Sequence, residues 1–146
     1  MKLLVGVDLS ESSERVVKKA EEIAKALSAQ VWLIHIAEPE PDFIGFDVGP
    51  ESVRNFRAKE FHAEHRQIQE IADRLRAAGL DATGLLVQGS TAETILREAS
   101  KLEVDMIVVG SHGRSAMYQL LVGSVCEGVL HKSECPILVV PTHERT

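Results

Sequence analysis

The sequence has few of the residues that would place it in a specialised class of protein. Only 4% of its 146 residues are aromatic, and no apolar run approaches the length of a membrane-spanning helix. The two cysteines, Cys126 and Cys135, are too few for a disulfide framework, and their apolar surroundings are typical of buried free thiols. These absences predict a cytoplasmic protein without a membrane partner.

An excess of basic residues is also absent. The chain has 16 Lys and Arg against 22 Asp and Glu, for a net charge of -6. Because nucleic-acid phosphates are bound by clustered Lys and Arg, this balance argues against nucleic acid as a partner, although a small anion could still bind at a local site. The remaining composition is that of an ordinary globular protein, and the length predicts a single domain over 1–146.

Short apolar runs alternate with helical patterns along the whole chain. This alternation predicts a single doubly wound, Rossmann-like α/β domain, with a five-stranded, mainly parallel sheet and helices on both faces. The five predicted strands are Lys2–Asp8, Gln30–Ala37, Asp81–Gly89, Val104–Gly110 and Pro136–Pro141. Four helices are expected between them: one capped by Ser10, one over Glu51–Ala78, one opened by a Ser90–Glu93 capping box, and one over Gly123–Lys132.

Apolar residues at three- and four-residue steps predict which helical positions are buried. On the first three helices these are Val16, Ala20, Ile23, Ala24 and Leu27, then Phe61, His65, Ile68, Ala72 and Leu75, then Ile95, Leu96, Ala99 and Leu102; on the last they are Val125, Cys126, Val129 and Leu130. Residues 38–50 carry three prolines and two glycines and are predicted to form a loop. Its apolar middle either packs on the core or serves as a lid or partner surface.

Glycines follow the fourth strand at a spacing that suggests an anion site. Gly110 and Gly113 lie at its carboxyl end, and Gly123 and Ser124 stand where the last helix begins. Parallel sheets bind ligands at this end, and free N–H groups with the positive end of a helix dipole favour phosphate. The alternative is that the first two glycines only form a tight turn. Neither G-x-x-x-x-G-K-[ST] nor G-x-G-x-x-G occurs here, which disfavours a P-loop NTPase or a dinucleotide oxidoreductase.

The pattern G-x2-G-x9-G-S, together with "VGVDLSESS", "LIHI", "DMIVVGSHG" and "CPILVV", closely resembles the universal stress protein family in its nucleotide-binding branch. The resemblance covers the whole chain. It implies a protein that binds ATP, or the related AMP or ADP, because members with this glycine motif generally bind an adenine nucleotide. It also implies a homodimer through strand 136–141, although the prolines bounding that strand could limit such pairing.

The same resemblance assigns residues to parts of the nucleotide. It implies that Val7 and Asp8 lie beside the adenosine, that the backbone of Ile36 lies against the adenine edge, and that Val109 and Gly110 lie near the ribose. The phosphates would be surrounded by Gly113, Gly123, Ser124 and Val125, with added charge from Arg114. One departure concerns Gly6, which stands where family members often have proline. Asp8 could alternatively cap the first helix.

The predicted function is a nucleotide-responsive regulatory or protective module of a stress response, with no catalytic residue assigned. Two alternatives are a slow ATPase or nucleotide phosphotransferase, and an interaction protein whose glycine loop is only structural. Mg²⁺ or Mn²⁺ is expected to bind through the phosphates. No metal site formed by the protein itself is expected, because no further ligand completes a set with His62 and His65.

Overall fold

The computed structural model describes residues 1–11, 13–37, 51–111 and 129–142, with side chains from residue 61 onward in the helix that begins at Glu51. The strands are β1 (Lys2–Gly6), β2 (Gln30–Ala37), β3 (Ala82–Gln88), β4 (Met106–Gly110) and β5 (Ile137–Val140). The helices are α1 (Ser13–Leu27), α2 (Glu51–Ala77) and α3 (Thr91–Leu102). Residues 129–132 are also helical.

All five strands form one parallel sheet in the order β3-β2-β1-β4-β5. The register pairs Leu3 with Val31 on one side and with Met106 on the other, so β1 lies at the centre. This architecture confirms the predicted doubly wound α/β fold. The observed strands match the predicted ones to within two residues at each end.

Two apolar layers cover the two faces of the sheet. On one face, alternate residues of β1 and β2 pack against α1 and α2 in a cluster that includes Leu3, Leu33, Ala20 and Ile68. On the other face, the intervening residues pack against α3 and Val129. Burial on both faces explains why the strands are near-continuous apolar runs rather than alternating ones. No helix among the described residues is long and apolar enough to span a membrane.

Glycines allow α2 to end and to pack closely on the sheet. Gly79 has φ of 95° after α2, where the Gly79 N–H donates to the Arg76 carbonyl at 2.9 Å and the Leu80 N–H donates to the Leu75 carbonyl at 3.0 Å. This is the Schellman pattern, and it confirms Gly79 as the end of the helix. A Cβ added to Gly84 of β3 would lie 3.1 Å from the Ile68 carbonyl oxygen. The missing side chain therefore permits close packing of α2 on β3.

Three helical side chains predicted to be buried are exposed. His65 is exposed, while Glu64 is half-buried and reaches the ring of His35, so the buried face of α2 is rotated by one residue at this turn. Leu27 is 44% exposed because it is the last residue of α1, and Leu130 is 49% exposed one position beyond the buried Val129. The predicted positions Ile68, Ala72 and Leu75 are buried as expected.

Two predicted caps form differently. The hydroxyl of Ser90, the N-cap of α3, makes no bond to the helix backbone and instead donates to the Glu93 carboxylate at 3.3 Å. The reciprocal capping box is therefore not formed. Ser10 lies three residues before the start of α1, and its carbonyl, not its hydroxyl, accepts from the Ser13 N–H at 3.1 Å. The predicted loop at 38–50 and the start of the last helix, with Val125 and Cys126, lie outside the described residues.

Candidate functional site

The order of the strands reverses between β1 and β4. The chain runs outward from β1 through β2 to β3, then crosses to the other side of β1 to form β4 and β5. Connections from β1 and β4 therefore leave in opposite directions, which opens a crevice beyond their carboxyl ends. Gly6 and Gly110 are the last residues of these two strands.

The end of β1 turns into α1 through a compact set of hydrogen bonds. Asp8 is 5% exposed, and its Oδ1 accepts from the Ser10 N–H at 2.9 Å and from the Ser10 hydroxyl. Leu9 between them has φ of 64°, a left-handed conformation that is uncommon outside glycine. The Ser13 hydroxyl then donates to the Ser10 carbonyl at 2.6 Å. The Asp8 carboxylate is thus held at the mouth of the crevice by the turn that it organises.

The end of β4 is held by a second set of polar groups. Ser111 is buried, and its N–H donates to the Val140 carbonyl at 2.8 Å. Its Oγ accepts from the Thr142 N–H at 3.1 Å and lies 3.5 Å from the Thr142 hydroxyl oxygen. These bonds tie the residue that follows Gly110 to the segment after β5, so the point at which the glycine-containing segment leaves the sheet is fixed.

A histidine and a carboxylate lie beneath the end of β1. The side chain of His35 on β2 is 8% exposed, and its Nδ1 lies 2.9 Å from the Val7 carbonyl oxygen. Its Nε2 lies 3.4 Å from Oε2 of Glu64 on α2, a side chain that is 29% exposed. The ring therefore bridges the end of β1 and the long helix.

Five of the predicted site residues lie together at the carboxyl edge of the sheet. Val7 and Asp8 follow β1, Ile36 is near the end of β2, and Val109 and Gly110 end β4. Val7, Ile36 and Val109 are at most 2% exposed as whole residues, so their apolar side chains form a buried floor at this edge. The predicted phosphate residues Gly113, Arg114, Gly123, Ser124 and Val125 lie outside the described residues.

Two of the polar pairs that hold this edge, His35 with Glu64 and Ser111 with Thr142, were not predicted from the sequence. His35 was visible only as a polar residue within the apolar run "LIHI", and Glu64 as one acid on a heavily charged helix. A buried polar residue needs a partner, which is the signal that could have linked them. Their pairing depends on the rotation of α2, which the stripe containing His65 predicted incorrectly. Ser111 and Thr142 lie too far apart in sequence for any local pattern to connect them.

The described part of the chain contains no group of three or more His, Cys, Asp and Glu residues placed to hold a metal ion. His62 and His65 are both exposed on α2.

The fold and the crevice define a doubly wound α/β domain of the class that binds ligands beyond the carboxyl ends of its strands. Residues 1–141 match the model of the universal stress protein family, and the chain belongs to that family. It is 31% identical over 144 residues to a universal stress protein of Thermus aquaticus, with 94% of this chain and 96% of the relative covered. It is 33% identical over 140 residues to universal stress protein A homolog 2 of Coxiella burnetii, with 95% and 93% covered.

Solved structures show the same architecture. The structure of MJ0577, a universal stress protein of Methanocaldococcus jannaschii, superposes with a TM-score of 0.80 at 28% identity and covers 99% of this chain and 97% of that chain. A universal stress protein solved in complex with cAMP superposes with a TM-score of 0.71 at 27% identity, covering 98% of each chain. The similarity extends over essentially the whole chain.

Proposed function

We propose that this protein binds an adenine nucleotide in the crevice beyond β1 and β4 and acts as a nucleotide-responsive regulatory or protective module in a stress response. The observation that carries the proposal is the buried, hydrogen-bonded Asp8 at the switch point between β1 and β4. The relative that was solved with cAMP supports an adenine nucleotide as the ligand class.

The adenosine half of the ligand is proposed to lie on Val7, Asp8, Ile36, Val109 and Gly110. Buried apolar side chains beneath the backbone make a dry floor, on which hydrogen bonds to a base are stronger than in water. The carboxylate of Asp8 has acceptor sites on both oxygens, and an acceptor is what a ribose hydroxyl or an adenine amino group requires. These residues therefore supply both the shape and the polarity that a nucleoside needs.

The phosphates are proposed to bind the backbone N–H groups of Gly113, Gly123, Ser124 and Val125, with the Ser124 hydroxyl and the Arg114 guanidinium adding donors. Glycine removes the Cβ that would keep a phosphate away from the backbone. The proposal is for binding rather than turnover, and it assigns no catalytic residue.

Mass spectrometry of the supernatant from denatured, freshly purified protein gives the first test, with co-purified ATP, ADP or AMP as the expected result. Calorimetry then gives the affinity. Gly123→Val should weaken ATP binding at least tenfold, because a β-branched side chain would stand where the phosphate approaches the backbone.

Two arginine variants test whether positive charge at the proposed phosphate site contributes to ATP binding. Arg114→Gln should weaken ATP binding more than adenosine binding, whereas Arg97→Gln should change neither, because the Arg97 side chain on α3 is 57% exposed. A folded Gly123→Val protein that binds ATP as tightly as the parent would show that the phosphate site is wrongly assigned.

Mg²⁺ or Mn²⁺ is proposed to join the complex by bridging phosphate oxygens rather than through protein ligands. ATP should then bind more tightly with Mg²⁺ present, while the affinity for adenosine should not change. Stoichiometric metal in chelator-washed, nucleotide-free protein would contradict this assignment.

We propose further that the protein is cytoplasmic and forms a homodimer through β5, with neither nucleic acid nor membrane as a partner. The net charge of -6 supports the exclusion of nucleic acid. The position of β5 at the edge of the described sheet supports the dimer.

A further inference from the structure

The ring of His35 lies between two groups that accept hydrogen bonds. A backbone carbonyl can only accept, and the ring nitrogen that faces the Val7 oxygen at 2.9 Å must therefore carry a proton for a hydrogen bond to form. The carboxylate of Glu64 faces the other nitrogen at 3.4 Å and, when ionised, also only accepts. Both contacts are attractive at once only when both ring nitrogens are protonated.

Loss of one proton changes the balance of these contacts. With a proton kept on Nδ1, the neutral ring still donates to Val7, but the lone pair of Nε2 then faces the carboxylate of Glu64 and is repelled by it. Because the ring is almost fully buried, water screens its contact with Val7 only weakly, whereas the contact with the 29% exposed Glu64 side chain is partly screened. The neutral ring therefore holds the end of β1 against α2 less firmly than the charged ring does.

Charged groups on the described elements around the ring are engaged elsewhere or exposed. Asp8 directly follows Val7 at the end of β1, and its carboxylate is engaged by Ser10. His62 and His65 on α2 are exposed. Strand β3 beside β2 carries no titratable side chain over Ala82–Gln88, and α3 packs on the opposite face of the sheet. Glu64 is a carboxylate that the structure places in direct contact with the ring.

We infer that His35 is a positioning residue for the candidate site, and that through the Val7 carbonyl it makes nucleotide affinity lower when its ring is neutral than when it is charged. This inference rests on the proposed function, because Val7 and Asp8 are the residues proposed to lie beside the adenosine. His35 acts through the backbone that carries them and does not itself contact the nucleotide.

The first test compares two titrations of the parent protein. The ring nitrogens of His35, observed by ¹⁵N NMR in nucleotide-free protein, give the pH interval over which the ring loses its proton. Affinity for adenosine, which has no phosphate to titrate, is measured by calorimetry across the same interval and should fall about threefold to tenfold as the pH rises, the value of one hydrogen bond. Adenosine affinity that does not change across the ring titration would overturn the inference and leave the proposed function standing.

A variant at Glu64 separates positioning from a purely structural role. Glu64→Gln should flatten the dependence of adenosine affinity on pH, because the uncharged amide neither attracts the charged ring as strongly nor repels the neutral one. Position 64 is half-buried, so the variant should fold. Glu70→Gln, at an exposed acid of the same helix, should keep the parental pH dependence. Equal pH dependence in the two variants would contradict the inference.

A readout without nucleotide distinguishes the two proposals. The backbone amide of Asp8 is bonded to the Val7 carbonyl carbon, so its NMR shift should follow the His35 titration in nucleotide-free protein and should follow it less in Glu64→Gln. If the NMR shift of the Asp8 amide does not change over the His35 titration, the inference is overturned whether or not nucleotide binds. Failure of the proposed function gives a different result, in which no nucleotide binds at any pH while the Asp8 amide still follows the ring.

Discussion

At the scale of single residues, Asp8 has an observed structural role and a proposed binding role, and substitutions can separate the two. Its carboxylate organises the turn from β1 into α1 and is proposed to bind the nucleoside. Asp8→Ala should lower the free energy of unfolding by about 1–3 kcal/mol, because two hydrogen bonds from the partly buried Ser10 to a charged acceptor are lost. It should also weaken nucleotide binding. Urea denaturation and calorimetry measure the two effects.

Asp8→Asn distinguishes between them, because the amide oxygen can still accept from Ser10 but the charge is gone. It should cost less stability than Asp8→Ala while still weakening nucleotide binding. Asp73→Ala provides the control, since the Asp73 side chain on α2 is 70% exposed and its pair with Arg76 should contribute little. If Asp8→Ala left both stability and affinity at parental values, neither role would stand.

The same scale shows which residues of the candidate site could be placed from the sequence. Asp8 and Gly110 follow apolar runs directly, so their placement at the carboxyl edge follows from the strand pattern alone. His35 and Ser111 act through partners far along the chain, and such contacts depend on how a helix is rotated or on where the chain returns. A local pattern contains neither piece of information.

At the scale of the elements, the packing of α2 on β3 depends on Gly84. A methyl group there would lie 3.1 Å from the Ile68 carbonyl oxygen and 3.3 Å from Nε2 of Gln69, so the helix would have to move. Gly84→Ala should therefore lower the free energy of unfolding by about 1–3 kcal/mol, the usual cost of overpacking. Urea denaturation measures this cost.

Gly6→Ala is the matched control on β1. A Cβ there would meet Cγ1 of Val109 at 3.4 Å, an ordinary van der Waals contact. Its effect on the free energy of unfolding should be small, because alanine also restricts the unfolded chain. A Gly84→Ala protein as stable as Gly6→Ala would show that α2 adjusts without cost.

The order and type of these elements were predictable because both faces of a parallel sheet are covered, which leaves long apolar runs separated by helices with one apolar face. The rotation of α2 was not predictable at its first described turns. Phe61, Glu64 and His65 are spaced so that either of the last two could face the sheet. The buried partner, His35, selects Glu64. The contact with His35 thus determines which residue of α2 faces the sheet at this turn, and the periodicity of the sequence alone did not determine it.

At the scale of the whole molecule, β5 is the edge strand of the described sheet and offers a place for a second copy. The carbonyls of Pro136 and Val140 accept from N–H groups of β4 and of the residue that follows it, so the backbone groups of alternate residues face β4. Those of Ile137 and Val139 therefore face away from β4, toward the outer edge of the described sheet. An antiparallel pairing with the same strand of a second copy would use these outward groups.

Val139→Pro should therefore convert the dimer to a monomer without removing a bond to β4, because proline is tolerated in an edge strand where its missing N–H would face outward. Sedimentation at micromolar concentration measures the change. Leu138→Pro is the contrast, since it removes an inward N–H and should destabilise the fold itself. A parent that sediments as a monomer, or a Val139→Pro protein that remains a dimer, would rule out this interface.

The central place of β1 has a consequence for how the protein is made. Its pairing with β2 is available early in translation, but its other edge pairs with Met106, Ile107 and Val108, and the clamp between Lys2 and Asp105 closes only with them. A nascent chain that has emerged as far as β3 therefore carries an apolar strand with one open edge. Such an edge invites aggregation until the ribosome releases the residues that cover it. The nascent chain should therefore bind chaperones most strongly before β4 emerges from the ribosome.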